Sequence, residues 1–330
     1  MKNLGFLLTL IFISSFGFSQ GKVNFQANIT NRNGDVIYIK DNLDKVVKEI
    51  KINKDETFKD SFEVKDGFYI MFDGLEYASI YLKDGFDLKL TMDAKMFDES
   101  IVFTGKGEAE NNLLAQNSIG MEQFGAMAFD KNKEDFKIAI EERKKNDFEK
   151  LEKGNFDEAF KTKVKSNLTK DFFQMQMMYK EMQLKKELIG KDSKGFEYEN
   201  HAGGKTKLED FKGKYVYIDV WATWCGPCRA EIPFLKKVEA KYEGKKIEFV
   251  SISVDEDKDH AKWIKFVTDK QLGGVQLFAD KNWMSDFIKA YGINSIPRFI
   301  LLDPQGKVVS ADADRPSDEK LVAQLDKLLN

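Results

Sequence analysis

Three hydrophobic rhythms follow one another along the chain. From residue 22 to about 105, apolar positions alternate with polar ones: Val23, Phe25, Ala27 and Ile29, later Phe86, Leu88, Leu90 and Met92. A period of two marks half-buried strands. Asn33-Gly34, Asp66-Gly67 and Asp84-Gly85 punctuate the runs, the first a strong hairpin signal. The pattern predicts a small antiparallel β domain over 20–107, either one sheet or a sandwich. From 108 to about 190 the period lengthens. Phe156, Phe160, Val164, Leu168 and Phe172 recur every fourth residue, which is one stripe of a helix. Asn155 and Glu158 make a capping pair, and Gly190 is a natural end. The pattern therefore predicts a helical segment over 108–190, and the mixed charges over 131–153 read as a solvated helix face.

Beyond a Gly- and Lys-rich linker or entry loop around 191–205, short apolar runs alternate with helical patterns. Strands are expected at 215–221, 247–254 and 275–279, and helices at about 226–242, 256–271 and 282–291. A hairpin of 298–302 and 307–311 turns at Asp303-Pro304-Gln305-Gly306, and a last helix covers 317–329. Such alternation predicts an α/β domain over 196–330, a central sheet with helices on both faces. At the other end, Lys2 and the apolar run over 4–18, with Gly17 and Ser19 before Gln20, predict a signal peptide over 1–19. An uncleaved membrane anchor is the alternative, although the run is short for a span. No cysteine near the cut offers a site for lipid attachment.

Composition sharpens this division. All five prolines, all four tryptophans and both histidines lie beyond residue 200. The 330 residues, 42% of them hydrophobic, suffice for two or three cores. A net charge of −3 with both signs interleaved leaves no basic footprint for nucleic acid or an anionic membrane surface.

The only two cysteines stand together in Cys225-Gly226-Pro227-Cys228, where an apolar strand gives way to a helical pattern. At a helix start the first sulfur meets the partial positive charge of unpaired backbone N–H groups, which favours thiolate. The second lies one turn on, on the same face, close enough to form a disulfide. A bridge closing so short a loop restricts the unfolded chain little, so the pair reads as redox-active rather than structural. His201 and His260 lack metal-ligand spacing, and zinc would need two ligands beyond the cysteines. Met175, Met178 and Met182 have the softness for copper, but their spacing continues the buried helix face. No metal or organic cofactor is expected, since the dithiol is itself the redox centre.

Three stretches carry a resemblance: Trp221-Ala-Thr-Trp-Cys-Gly-Pro-Cys-Arg-Ala-Glu-Ile-Pro233, Ser251-Ile-Ser-Val-Asp255 and Tyr291-Gly-Ile-Asn-Ser-Ile-Pro-Arg-Phe299. Through them residues 196–330 resemble the TlpA/ResA-like thioredoxin-fold thiol-disulfide oxidoreductases of bacterial cell envelopes. Residues 22–190 resemble, more loosely, the β-rich domain and helical segment that precede some of these domains. The resemblance implies an exposed attacking thiolate at Cys225 and a buried resolving thiol at Cys228. It also implies that Trp224 covers the sulfur and that Pro233 kinks the active-site helix. Ile296-Pro297 matches the family's cis-proline loop, which turns backbone towards the cysteines to pair with an incoming peptide. Asp219 matches the buried acid of thioredoxin, whereas Glu231 matches the glutamate that envelope relatives use instead. Either carboxylate, raised by burial, is a candidate base for the Cys228 proton. A peroxiredoxin would want a threonine where this chain has Ala222.

The same resemblance implies an exported protein of the periplasm or cell envelope, reducing or isomerising protein disulfides. The Gly-Pro pair biases the couple towards reduction. Its implied partners are disulfide- or thiol-bearing envelope proteins, apocytochromes of cytochrome c biogenesis among them, and a membrane-borne electron donor. The alternative is a redox-sensing binding protein whose N-terminal domain holds a ligand or partner.

Overall fold

The structure, a computed structural model, describes residues 21–329. The signal peptide expected over 1–19 lies outside them. The chain divides into two compact units, with the boundary between Met175 and Gln176.

Eight strands open the first unit: β1 (Gly21–Thr30), β2 (Val36–Lys40), β3 (Val46–Lys51), β4 (Phe58–Val64), β5 (Gly67–Phe72), β6 (Tyr77–Leu82), β7 (Asp87–Asp93) and β8 (Val102–Lys106). A one-turn helix, α1 (Phe97–Ser100), precedes β8. They form two four-stranded sheets, ordered β4-β1-β7-β8 and β3-β2-β5-β6. The predicted alternation is real: Val23, Phe25, Ala27 and Ile29 are all buried, as are Leu88, Leu90 and Met92. One pairing departs from the antiparallel expectation, because β1 and β7 run parallel. Parallel neighbours need a long crossover, and the excursion through β2 to β6 supplies it.

Three helices complete this part: α2 (Glu108–Ala128), α3 (Lys133–Lys153) and α4 (Glu158–Leu188), the last running past the boundary. The side-chain amide of Asn111, in α2, bonds both the N–H and the C=O of Tyr81, and Asn112 does the same for Phe103. Backbone groups on the outermost strands β6 and β8 are thereby occupied, which blunts two sheet edges. The cap of α4 is Asp157, which accepts from the Phe160 N–H at 2.8 Å, and not Asn155. Phe160, Val164, Leu168 and Phe172 are buried as expected, yet the stripe continues through Met175 and Tyr179 while Met178 is 58% exposed. A four-residue spacing drifts by about 40° at each step, so a buried stripe must fall back by three residues before long.

The second unit holds one seven-stranded sheet, ordered β10-β9-β13-β12-β11-β14-β15. Its strands are β9 (Glu197–Asn200), β10 (Lys205–Lys207), β11 (Tyr215–Trp221), β12 (Ile247–Ser253), β13 (Val275–Phe278), β14 (Arg298–Leu302) and β15 (Val308–Ser310). β11, β12 and β13 are parallel, and β9, β10, β14 and β15 extend the sheet by antiparallel pairing. Its helices are α5 (Gly226–Lys241), α6 (His260–Lys270), α7 (Asp286–Ala290) and α8 (Glu319–Leu329). Part of the expected linker is therefore structured. Residues 197–207 form a hairpin that turns through Gly203 and Gly204, both at positive φ, and buries Tyr198. The expected helix at 282–291 is broken at buried Ser285 into a 3-10 turn and α7. Apolar clusters lie on both sides of the sheet, one with Val216, Ile218 and Val220 of β11, the other with Tyr217 of β11 and Leu235 and Val238 of α5. This is the thioredoxin fold.

Candidate active site

Strand β11 carries the chain to one end of the sheet, and a short loop, Ala222 to Trp224, leads into α5. The loop is fastened from below. Thr223 donates through its N–H (2.9 Å) and its hydroxyl (2.8 Å) to the two carboxylate oxygens of buried Asp255. The Ser253 hydroxyl also donates to Asp255, at 2.7 Å. Asp255 belongs to a stretch whose resemblance is plain, but its role is not readable there, because its partner is 32 residues away in the chain.

Cys225 is the N-cap of α5, and its Sγ accepts the Cys228 N–H at 3.1 Å. The helix start thus presents one of its free backbone donors to this sulfur. The two cysteines are joined in a disulfide with Cα atoms 5.3 Å apart. Both are packed into the apolar cluster with Trp221 and Ala222. Cys225, expected to be exposed, is only 4% accessible in this oxidised form, since its sulfur is bonded to Cys228 on one side and set against that cluster. Trp224 is 52% exposed, so about half of the residue faces water. Pro233 lies within α5 as expected.

The Ile296–Pro297 peptide is cis. Val220 of β11 pairs with Arg298 of β14, which puts Ile296-Pro297 at the same end of the sheet as the loop leaving Trp221. Ile296 packs against the cluster that contains both cysteines. Arg298 itself is buried, with Nη2 2.6 Å from Glu181 Oε1 and Nε 3.6 Å from Asp312. Lys185 links the same two carboxylates at 2.9 and 2.7 Å. Nothing local in the sequence announces this network.

The two candidate carboxylates differ in their surroundings. Asp219 is buried, its Oδ1 has no hydrogen-bond partner, and it lines a narrow crevice together with Cys228 and Trp221. Burial pushes its carboxyl up to about 8, helped by the nearby charges of Glu231 and Glu239. Glu231 is also buried, but both its oxygens are engaged: Ser317 donates to them through its N–H at 3.0 Å and its hydroxyl at 2.9 Å. Glu231 thus holds the approach to α8 and is not in the wall of the crevice. Glu239, which the sequence did not single out, is in that wall; burial lifts it to about 7. Among the described residues no group of three or more histidines, cysteines or acids is set to hold a metal ion.

The model of the AhpC/TSA family matches residues 189–311. The thiol-disulfide oxidoreductase ResA of Bacillus thuringiensis is 34% identical over 140 residues, covering 42% of this chain and 78% of that protein. A Bacteroides vulgatus protein known from its solution structure is 52% identical, covering 41% of this chain and 86% of that one, with a TM-score of 0.38. The crystal structure of the thioredoxin domain of another Bacteroides vulgatus thiol-disulfide oxidoreductase is 29% identical over 43% of this chain and 98% of that one, with a TM-score of 0.39.

Proposed function

The chain belongs to the ResA family of thiol-disulfide oxidoreductases, and on that footing we propose that it is an exported cell-envelope protein that reduces or isomerises protein disulfides through Cys225-Gly226-Pro227-Cys228. The observation that carries this reading is the placement of Cys225 Sγ as the N-cap acceptor of α5, with Asp219 beside Cys228 in one crevice. In the reducing direction, the Cys225 thiolate attacks one sulfur of a substrate disulfide and releases the other as a thiolate, which takes up a proton. Cys228 then loses its proton, attacks the Cys225 sulfur and frees the second substrate thiol. Asp219 is assigned as the base for that proton, because it shares a crevice with Cys228, whereas Glu231 lies outside that crevice and is held by Ser317. Two electrons have left the dithiol, and a membrane-borne donor must return them before the next turn. No metal or organic cofactor is needed.

Ile296 and Pro297, at the cysteines' end of the sheet, are the backbone to which this reading assigns pairing with a substrate strand, with half-exposed Trp224 offering it apolar contact. Disulfide- or thiol-bearing envelope proteins, apocytochromes included, are the substrates this reading assigns. Export rests on the signal-like run over 1–19. Among the described residues no helix is long and apolar enough to cross a membrane.

The decisive measurement is the equilibrium potential of the Cys225–Cys228 couple, by thiol trapping across a poised dithiol series. A value near that of thioredoxin, about −270 mV, is expected for a reductant. A markedly higher value would assign an oxidant or isomerase, and no reversible couple at all would overturn the enzyme reading. A second reading, a redox-sensing binding protein, has one observation behind it. The first unit contains a cavity of about 720 Å³ with Phe68, Tyr69 and Tyr77 in its wall. Under that reading Cys225→Ser leaves the cellular function intact, whereas the oxidoreductase loses it.

A further inference from the structure

A buried base that takes a proton in one cycle must lose it before the next. Asp219 has no hydrogen-bonded route outward through its own Oδ1. The sheet register shows what lies beside it. Asp219 pairs with Ser251 on β12, and Ser251 pairs with Gln276 on β13, so the three side chains form one row on one face of the sheet. Gln276 Nε2 donates to the Gly273 carbonyl at 2.7 Å, and Gly273 abuts Glu239. The chain is shaped around that carboxylate. A Cβ at Gly273 would fall on Glu239 Oε2, and one at Gly274, where φ is +61°, would lie 3.1 Å from Oε1.

The same row lines the crevice, Asp219, Ser251 and Gln276 together with Cys228, Trp221 and Glu239. Its volume of about 10 Å³ is near the least that admits one water. Asp219 Oδ1, Gln276 Oε1 and Trp221 Nε1 are buried without partners, two acceptors and one donor of the kind that holds a single water.

We propose that Glu239 is the outer end of a proton path running from Cys228 through Asp219 and the crevice to solvent. This rests on the oxidoreductase reading above. As the Cys228 sulfur bonds to the Cys225 sulfur, the bond from Cys225 to the substrate breaks and the substrate sulfur leaves with its electron pair. The Cys228 proton passes to the Asp219 carboxylate. The neutral Asp219 hands it, through a crevice water, to Glu239, which releases it to bulk. The substrate disulfide is the only oxidant.

The charged groups around this path are few. Tyr217 of β11 donates its hydroxyl to the Asp314 carbonyl at 2.8 Å. Glu231 of α5 is bound by Ser317. Lys236 of α5 donates its ammonium to the Lys270 carbonyl at 2.6 Å. β12 and β13 contribute the neutral Ser251 and Gln276. Glu239 touches no reacting atom, so it acts through Asp219, and its loss must be read in proton transfer.

The test uses the reduced full-length protein and Ellman's reagent. A first thionitrobenzoate is released when Cys225 attacks, and a second when Cys228 resolves the mixed disulfide. Glu239→Gln is expected to leave the first phase unchanged and to slow the second about tenfold at pH 7, less than the roughly 10²–10⁴-fold that a positioned acid or base itself supplies, because Glu239 acts through Asp219. Imidazole in the buffer should restore much of that loss, which it would not do for a packing defect. Adding Glu239→Gln to Asp219→Asn should slow the second phase no further, since both act on one path. A second phase unchanged in Glu239→Gln from pH 5 to 9, or effects of the two variants that multiply, overturns the path and leaves Asp219 working alone. A parent protein that releases no second equivalent removes the oxidoreductase reading, and the path with it.

Discussion

At the scale of single residues, Asp219 has the largest consequence for pH. Its carboxyl sits near the usual 3.9 in the unfolded chain and is pushed up to about 8 in the folded oxidised protein by burial first and by Glu231 and Glu239 second. Between those values the folded state holds a proton that the unfolded state has lost, so stability falls as pH rises from about 4 to about 8. Asp219→Asn removes that proton linkage. In denaturant titrations of the oxidised protein, the variant should match the parent near pH 4 and be more stable at pH 8.5, by roughly 2–5 kcal/mol. Glu239, lifted to about 7 by burial, contributes a loss of the same sign over a shorter pH range. A parent whose stability does not decline over this range would mean that Asp219 is charged and solvated.

The residues whose chemistry is local were legible in the sequence. Cys225 and Cys228 announce themselves by spacing at a strand-to-helix junction, and Asp219 by its match to the buried acid of thioredoxin. Glu231 was legible as a residue but not in its bonds, because Ser317 lies 86 positions away. Asp255 and Glu239 were missed as participants for the same reason. Each matters through a partner on another element, and no periodicity reports which elements meet.

At the scale of elements, the strands β11 to β15 and the helix α5 were read to within a residue, β11 over 215–221 among them. There the apolar runs are strong and the turns are marked by Gly and Pro. What failed was the hairpin β9–β10, whose strands are short and polar apart from Tyr198. Unseen too was the join between the last turns of α4 and β14, where Arg298 is held by Glu181 and Asp312 just after the proline of the active-site loop. Glu181→Gln takes the negative charge from the closest contact of a buried guanidinium. Hydrogen bonds to charged groups contribute about 1.5–3 kcal/mol, and the partial exposure of Glu181 puts the expected loss of stability at the lower end. Hydrogen exchange should show faster opening over residues 176–188 and at β14, with the Cys225–Cys228 potential unchanged. A potential that moved would mean that the network reaches the dithiol.

At the scale of the whole molecule, the chain is two units with a helix running across their boundary. Each unit has its own buried residues and its own sheets, and each is large enough to fold cooperatively. Scanning calorimetry of the oxidised protein is therefore expected to show two transitions, and single substitutions should sort between them. Phe160 is fully buried, stacked on Phe68 at 5.6 Å and edge-on to Tyr81 at 4.9 Å. Phe160→Ala leaves a cavity there at a cost of about 3–5 kcal/mol, enough to lower the first unit's midpoint by roughly 10 °C. Asp219→Asn at pH 8 should instead raise the second unit's midpoint. Phe160 is in α4 itself, near the start of a helix that ends in the other unit. If both substitutions displace one common transition, folding free energy is being passed along that helix, and the two units are a single cooperative body. If each moves its own, the redox domain owes its stability to its own core, and the first unit is free to do something else.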